Sequence, residues 1–109
     1  MPREVGLEVG ETYFSIFYAD EALLHPIFET LVYLGPEMID DEGAGPVPGH
    51  LFQYASSFHS DGNWKEMTDI EREAFDEPPV VTYEDAHIDP VVDAEGLIGE
   101  LARWQARIG

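Results

Sequence analysis

The chain has 109 residues, 44% of them hydrophobic, and its 23 Asp and Glu residues face only five Lys and Arg, for a formal net charge of −18 at pH 7. This length and hydrophobic content predict a single globular domain over residues 1–109 and argue against disorder. The charge argues against binding to nucleic acid or to an anionic membrane, because both require a basic surface. The absence of Cys excludes disulfides and thiolate chemistry.

Neither a membrane span nor a signal peptide is predicted. The longest apolar candidate segment is interrupted by Glu29, and it falls short of the roughly 18–20 apolar residues that cross a bilayer. The N-terminus carries Arg3, Glu4 and Glu8 where a signal peptide needs an uninterrupted apolar segment. These features predict a soluble, cytoplasmic protein.

Two strands are predicted in the aromatic segment near the N-terminus. Residues 12–19 alternate with a period of two, but aromatic side chains fall on both faces, with Phe14 on one and Phe17 on the other. This pattern indicates a central strand covered on both faces, or a strand whose second face is closed by a partner subunit. Residues 27–34 form the second strand, joined to the first by a connection of about seven residues.

The middle of the chain predicts a loop, a strand and a tight hairpin. Residues 37–49 contain three Gly, two Pro and four acidic residues, which is the composition of a loop. Residues 50–59 alternate as a third strand. The Asp61-Gly62 pair then predicts a tight turn into a short edge strand at residues 64–67.

A short helix and a further strand follow. Thr68 and Glu71 have the spacing of a capping box, in which each side chain bonds the backbone amide of the other residue. This motif predicts a helix over residues 69–75. Residues 80–88 are predicted to form another strand.

The C-terminal segment predicts an amphipathic helix. Asp93 is its expected N-cap, and apolar side chains recur at helical spacing at Leu97, Leu101, Trp104 and Ile108. Gly96 and Gly99 are expected to weaken its first turns by about 1 kcal/mol each relative to Ala. Together the elements predict an α+β fold: an antiparallel sheet of four or five strands, with this helix packed on one face and one short helix near residues 69–75.

One cluster of residues suggests a metal site. Asp85, His87 and Asp89 alternate, so an extended strand would aim all three at one face. Imidazole and carboxylate groups suit zinc, manganese or non-haem iron, and a second pair, His59 and Asp61, would complete the set if the two pairs converged. The competing explanation is chance, because in a chain with this many acidic residues a His two positions from an Asp is expected.

Four aromatic residues are candidate anchors of an interface, since each combines apolar area with a polar tip. They are Tyr18, Tyr33, Trp64 and Tyr83. The same residue types are also common at the margin of a protein core. A homodimer formed through a sheet face would use such anchors and would also explain the strand with aromatic side chains on both faces.

These observations favour a non-enzymatic binding or interaction module, whose acidic surface meets a basic protein partner or a second copy of the chain. No catalytic residue and no cofactor is predicted. The alternative is a small metal-assisted enzyme that uses the two His/Asp pairs. A third interpretation assigns the acidity to adaptation to a salty environment, in which case the charge has no role in binding.

Overall fold

The computed structural model describes residues 6–41, 43 and 45–109, with the backbone alone of Asp41. The strands are β1 (Thr12–Tyr18), β2 (Pro26–Asp41), β3 (Gly45–Tyr54), β4 (Val80–Glu84) and β5 (Val91–Val92). The helices are α1 (Ala55–Asp61), α2 (Asp69–Glu73) and α3 (Ala94–Ile108), and short 3-10 turns lie at Trp64–Glu66 and Asp85–His87.

All five strands form one antiparallel sheet in the order β4-β3-β2-β1-β5. The predicted α+β class is therefore confirmed, together with the C-terminal helix and the short helix after Thr68. Arg3 and Glu4, used in the signal-peptide argument, and Glu42 and Ala44 of the predicted loop lie outside the described residues. Within the described part of the chain, no helix combines the length and apolar character needed to cross a membrane.

The main core lies on one face of the sheet. Register places Tyr13 opposite Leu31 and Tyr33 opposite Phe52, so their side chains share this face with Val91. The rings of Tyr13 and Tyr33 pack against Phe52 with centroids 6.3 and 5.1 Å away. Burial of these rings, together with Leu31 and Val91, stabilises the pairing of the central strands.

The other face is closed around a buried amide. Gln53 is fully buried, and its Nε2 donates to the Ser57 hydroxyl at 3.2 Å and to the Gly62 carbonyl at 2.9 Å. Its Oε1 accepts from the Trp64 backbone N–H at 2.9 Å. These bonds hold α1 and the Trp64–Glu66 turn against the sheet, because breaking them would leave a buried amide unsatisfied.

The predicted strand over residues 50–59 and the predicted hairpin after it are therefore wrong in part. The strand ends at Tyr54, and residues 55–61 are helical. Ser57 lies four residues after Gln53 and four before Asp61, whose carboxylate accepts from the Ser57 hydroxyl at 3.1 Å, so the helical spacing is fixed by hydrogen bonds. Gly62 follows the helix with φ 93°, and residues 64–66 form a 3-10 turn where an edge strand was predicted.

The predicted loop over residues 37–49 is also wrong in large part, because its described residues other than the turn residue Gly43 extend β2 and β3 into a projecting two-stranded arm. Its prolines fit the ladder. The Tyr54 N–H donates to the Pro79 carbonyl on the β4 side. The backbone N–H groups of even-numbered β3 residues therefore point away from β2. Pro46 and Pro48 therefore occupy outward positions, where a missing N–H breaks no bond between the two strands.

The C-terminal part of the sheet differs from the prediction at two places. The strand predicted over residues 80–88 stops at Glu84, and a 3-10 turn occupies Asp85–His87. The two-residue strand β5, which the sequence did not reveal, pairs with β1 through Phe14 and Ser15. Only a short stretch of β1 is therefore paired on its outer side.

Helix α3 docks on β1, β5 and the β1–β2 connection. The Tyr18 hydroxyl donates to Glu100 Oε1 at 2.8 Å and accepts from Arg107. The hydrogen bond from Tyr18, reinforced by Arg103 and Arg107, lowers the pKa of Glu100. Near its N-terminus the helix approaches β5 closely, since a Cβ on Gly96 would lie 2.7 Å from Val92 Cβ.

The close approach at Gly96 predicts opposite effects for two glycine substitutions in the same helix. Gly99→Ala should raise the free energy of unfolding by up to about 1 kcal/mol, because Ala favours the helix and the space there is open. Gly96→Ala should lower it by about 1–3 kcal/mol, because the new methyl group overlaps Val92. Urea denaturation of both variants is the measurement. Equal effects would contradict the close docking of α3 on β5.

The lowered pKa of Glu100 predicts a pH-dependent contribution to stability. A depressed carboxyl pKa stabilises the fold above the ordinary Glu value of about 4.3, and the contribution is lost as pH falls through the folded-state pKa. Wild type should therefore exceed Glu100→Gln in free energy of unfolding at pH 7, and the difference should shrink below about pH 4.3. Denaturation curves from pH 7 to pH 3 test this, and a constant difference would contradict it.

Candidate functional site

The two His/Asp pairs predicted as metal ligands lie at different places on the sheet. His59 and Asp61 belong to α1, just beyond Tyr54 at the end of β3. Asp85 and His87 belong to the turn after Glu84, which pairs with Gly49. The five-residue step along β3 from Gly49 to Tyr54 spans about 17 Å, so the pairs do not converge.

The five predicted ligands have separate neighbours. The His59 ring packs edge-on against Phe58, and Asp61 accepts from Ser57. Asp85 accepts from His50, the His87 imidazole lies 3.5 Å from Glu84, and Asp89 is exposed. Among residues 6–41, 43 and 45–109, no group of three or more His, Cys, Asp or Glu side chains is arranged to hold a metal ion. Metal binding by these five residues stays a prediction.

A hydrogen-bonded chain of three side chains, which the sequence did not indicate, joins β2, β3 and the turn after β4. Tyr33 Oη lies 2.8 Å from His50 Nδ1, and His50 Nε2 lies 2.9 Å from Asp85 Oδ1. Because a carboxylate only accepts, His50 donates from Nε2 to Asp85, and its Nδ1 accepts a hydrogen bond from the Tyr33 hydroxyl. We call this set the Tyr-His-Asp relay.

The Tyr-His-Asp relay resembles a catalytic arrangement in its order, but its phenol is inaccessible. Tyr33 is 4% exposed, and burial, with the nearby Tyr13 and Asp85, raises its pKa. The hydroxyl therefore remains a proton donor inside the core, out of reach of a substrate. The relay satisfies a buried hydroxyl and ties the Asp85–His87 turn to the sheet.

The four aromatic residues predicted as interface anchors all contact other parts of the chain. The Arg107 guanidinium lies 5.1 Å from the Tyr18 ring centroid, and Trp64 packs against Phe75 and Arg72. Tyr33 is buried, and Tyr83 packs edge-on against Phe52. Their use as anchors stays a prediction.

Exposed apolar side chains collect elsewhere, at one end of the β1–β2 hairpin. Five of the ten large apolar residues exposed in the described chain fall within this one segment. We call this group the hairpin patch: Phe17, Leu23, Leu24, Ile27 and Phe28. Because Phe17 pairs with Ile27 while Phe28 points to the opposite face, the patch wraps both faces of the hairpin.

The hairpin patch is held in a fixed conformation. The Asp20 carboxylate accepts from the backbone N–H groups of Leu24 and His25, and Trp104 Nε1 donates to the Leu24 carbonyl at 3.0 Å. Leu23 has φ 58°, a left-handed conformation that is unfavourable for a residue with a branched side chain, and its carbonyl accepts from Arg107. These contacts keep an exposed leucine in a strained backbone conformation, which is characteristic of functional segments.

Acidic groups lie beside the patch, together with Arg107, which donates to the Leu23 carbonyl. Glu21 is exposed in the connection, and Glu29 follows Ile27 on the same face of β2. The described arginines bridge only two carboxylates: Arg72 pairs with Asp69, while Arg103 and Arg107 both pair with Glu100. These cations are too few to neutralise a chain with 23 acidic residues.

An open groove of about 520 Å³ runs beside β2 next to the patch. It is lined by Glu29, Thr30, Tyr54, Ala55, Ser56 and His59. Burial, followed by the negative charge of Glu29, raises the pKa of the Tyr54 hydroxyl. The groove therefore combines a protonated phenol with nearby carboxylates, a lining that suits a cationic group.

Comparison with known proteins adds no relative. Scans against protein-family models, curated proteins and solved structures each find no match to this chain.

The Tyr-His-Asp relay predicts an energetic coupling between the buried Tyr33 and the half-buried His50. His50→Phe should lower the free energy of unfolding by about 1–3 kcal/mol, because the buried Tyr33 hydroxyl loses its acceptor. The same substitution should have a smaller effect in a Tyr33→Phe background. A double-mutant cycle measured by urea denaturation tests the coupling, with Asp85→Asn as an exposed control of smaller effect. Equal effects of His50→Phe in both backgrounds would contradict it.

Proposed function

We propose that this chain is a non-enzymatic interaction module that binds a basic protein partner through the hairpin patch. The observation that carries the proposal is the exposure of Phe17 and Phe28, each 49% exposed, on an ordered hairpin end in a chain of charge −18. Clustered exposed apolar side chains rimmed by polar groups are typical of protein-binding surfaces. The acidic rim favours a partner of opposite sign and speeds their encounter.

A basic partner is favoured over a second copy of the chain. Two copies each carry a formal charge of −18, so association through an acidic rim brings like charges together. The repulsion is screened at high salt, where the Debye length falls to about 3 Å at 1 M. Self-association is therefore the second candidate, and it requires salt where a basic partner does not.

The metal-assisted enzyme and the adaptation to salt are less well supported by the structure. A metal-assisted enzyme requires ligands that converge, and the two predicted pairs lie beyond Tyr54 and beside Gly49, positions of β3 separated by about 17 Å. Adaptation to salt accounts for the acidity but makes no use of exposed phenylalanines. The test is therefore aimed at the patch.

Site-specific photo-crosslinking tests the proposed function. The photoreactive residue p-benzoylphenylalanine replaces Phe17 or Phe28 in the patch, and Ile70, which is 81% exposed on α2, serves as the matched apolar control. In the cells that produce the protein, positions 17 and 28 should crosslink to a basic protein, and position 70 should not.

Two other results contradict the proposal. A crosslinked product at twice the mass of the chain would assign the patch to self-association. Absence of crosslinks at positions 17 and 28, or equal crosslinking at position 70, would remove the patch as a binding surface.

A further inference from the structure

We infer that the edge of β2 at Phe28 and Thr30 binds an extended segment of the basic partner as an added β-strand. The inference rests on the proposed function and deepens it, because it specifies the conformation and side-chain pattern of the bound segment. Strand addition to a free sheet edge is a common mode of peptide recognition, in which backbone hydrogen bonds give affinity and alternate side chains give specificity.

The hydrogen-bond pattern of the sheet leaves this edge free. The Ala19 N–H donates to the His25 carbonyl, and the Tyr33 N–H donates to the Glu11 carbonyl. The backbone N–H and C=O groups of odd-numbered β2 residues up to Tyr33 therefore form their hydrogen bonds on the β1 side. The backbone N–H and C=O groups of Phe28 and Thr30 point the other way.

Strand β3 does not reach these groups. Its last pair with β2 is Tyr54 with Leu31, and the chain then turns into α1. No described strand pairs with β2 on this side before Leu31. The open groove lies here, between Thr30 and His59.

The free edges of the arm and of β4 are protected. On the arm, Pro36, Pro46 and Pro48 occupy outward positions and remove the N–H groups that an added strand would need. The outer edge of β4 is short and follows Pro78-Pro79, and its valines are half-buried, so it offers no exposed apolar anchor. The edge at Phe28 and Thr30 has Pro26 only at its start and presents an exposed Phe28.

The side chains of this edge determine what kind of segment fits. Phe28 and Thr30 lie on one face of β2, and Glu29 lies on the other. Residues directly opposite each other in paired strands share a face. The added strand therefore places apolar side chains beside Phe28 and basic side chains beside Glu29, where the negative charge of Glu77 also reaches Tyr54. Its pattern is alternating basic and apolar.

A capped peptide of alternating lysine and valine is the direct probe. Its valines face Phe28, so their N–H groups point to β2 and those of the lysines point away. N-methylation of the valines should weaken binding about tenfold or more, and N-methylation of the lysines should not. Isothermal titration calorimetry measures the affinities, with a peptide of the same composition in separate lysine and valine blocks as the charge control.

Two measurements on the protein complete the test. The peptide should slow hydrogen exchange at the Phe28 and Thr30 amides, measured by NMR on the wild-type protein. Thr30→Pro should weaken peptide binding about tenfold or more by removing one donor, and Thr82→Pro should not. Thr82 is the matched control, because it is also an exposed threonine whose N–H points outward, on β4.

The outcomes separate this inference from the proposed function. If all four peptides bind equally, or if the Phe28 and Thr30 amides gain no protection, strand addition is wrong, although a basic partner can still use the patch. If the alternating peptide does not bind, strand addition is also wrong, and photo-crosslinking decides the proposed function independently. Strand addition is supported if N-methylation of the valines and the Thr30→Pro substitution each weaken peptide binding.

Discussion

The hydrogen bonds of the buried Gln53 amide determine where the sheet stops. An amide in an apolar interior must find partners, and Gln53 finds them in Ser57, Gly62 and Trp64, all of which follow it closely in sequence. The chain satisfies these bonds by leaving the sheet and turning into α1. Strand β3 therefore ends one residue after Gln53, while β2 continues to Pro26 at its other end. The open edge of β2 follows from this one constraint.

Much of the fold could be predicted because some signals are local. The capping box of Thr68 and Glu71 forms both of its hydrogen bonds, and the Asp93 carboxylate caps α3 through the Gly96 N–H. The alternating pattern of the first two strands was likewise sufficient to place them side by side. The strand predicted at residues 55–59 was wrong because their alternation continues that of β3, and nothing local reveals that Gln53 is buried. The loop predicted at residues 37–49 was wrong because the proline content of a segment does not say which side of a strand a backbone N–H faces.

The candidate site was less predictable, because it depends on which residues the rest of the chain covers. Phe14 and Phe17 look equivalent in the sequence, yet Phe14 pairs with Val92 of β5 and is half-buried, whereas Phe17 lies beyond the end of that pairing. Tyr18 is an attractive anchor by residue type, but Glu100 and Arg107 occupy its hydroxyl. Register and strand length decide exposure, and neither can be calculated from residue type or periodicity.

The sheet order also has a kinetic consequence. Strands β1, β2 and β3 are neighbours in sequence as well as in space, so their pairing closes only short loops, and such contacts form quickly. In contrast, β5 reaches β1 through the pair of Val92 with Phe14, across most of the chain. We expect the three-stranded meander to form early and the docking of β5 and α3 to come late. Contacts formed late in folding mainly set the unfolding rate, so the C-terminal helix governs how long the folded sheet persists.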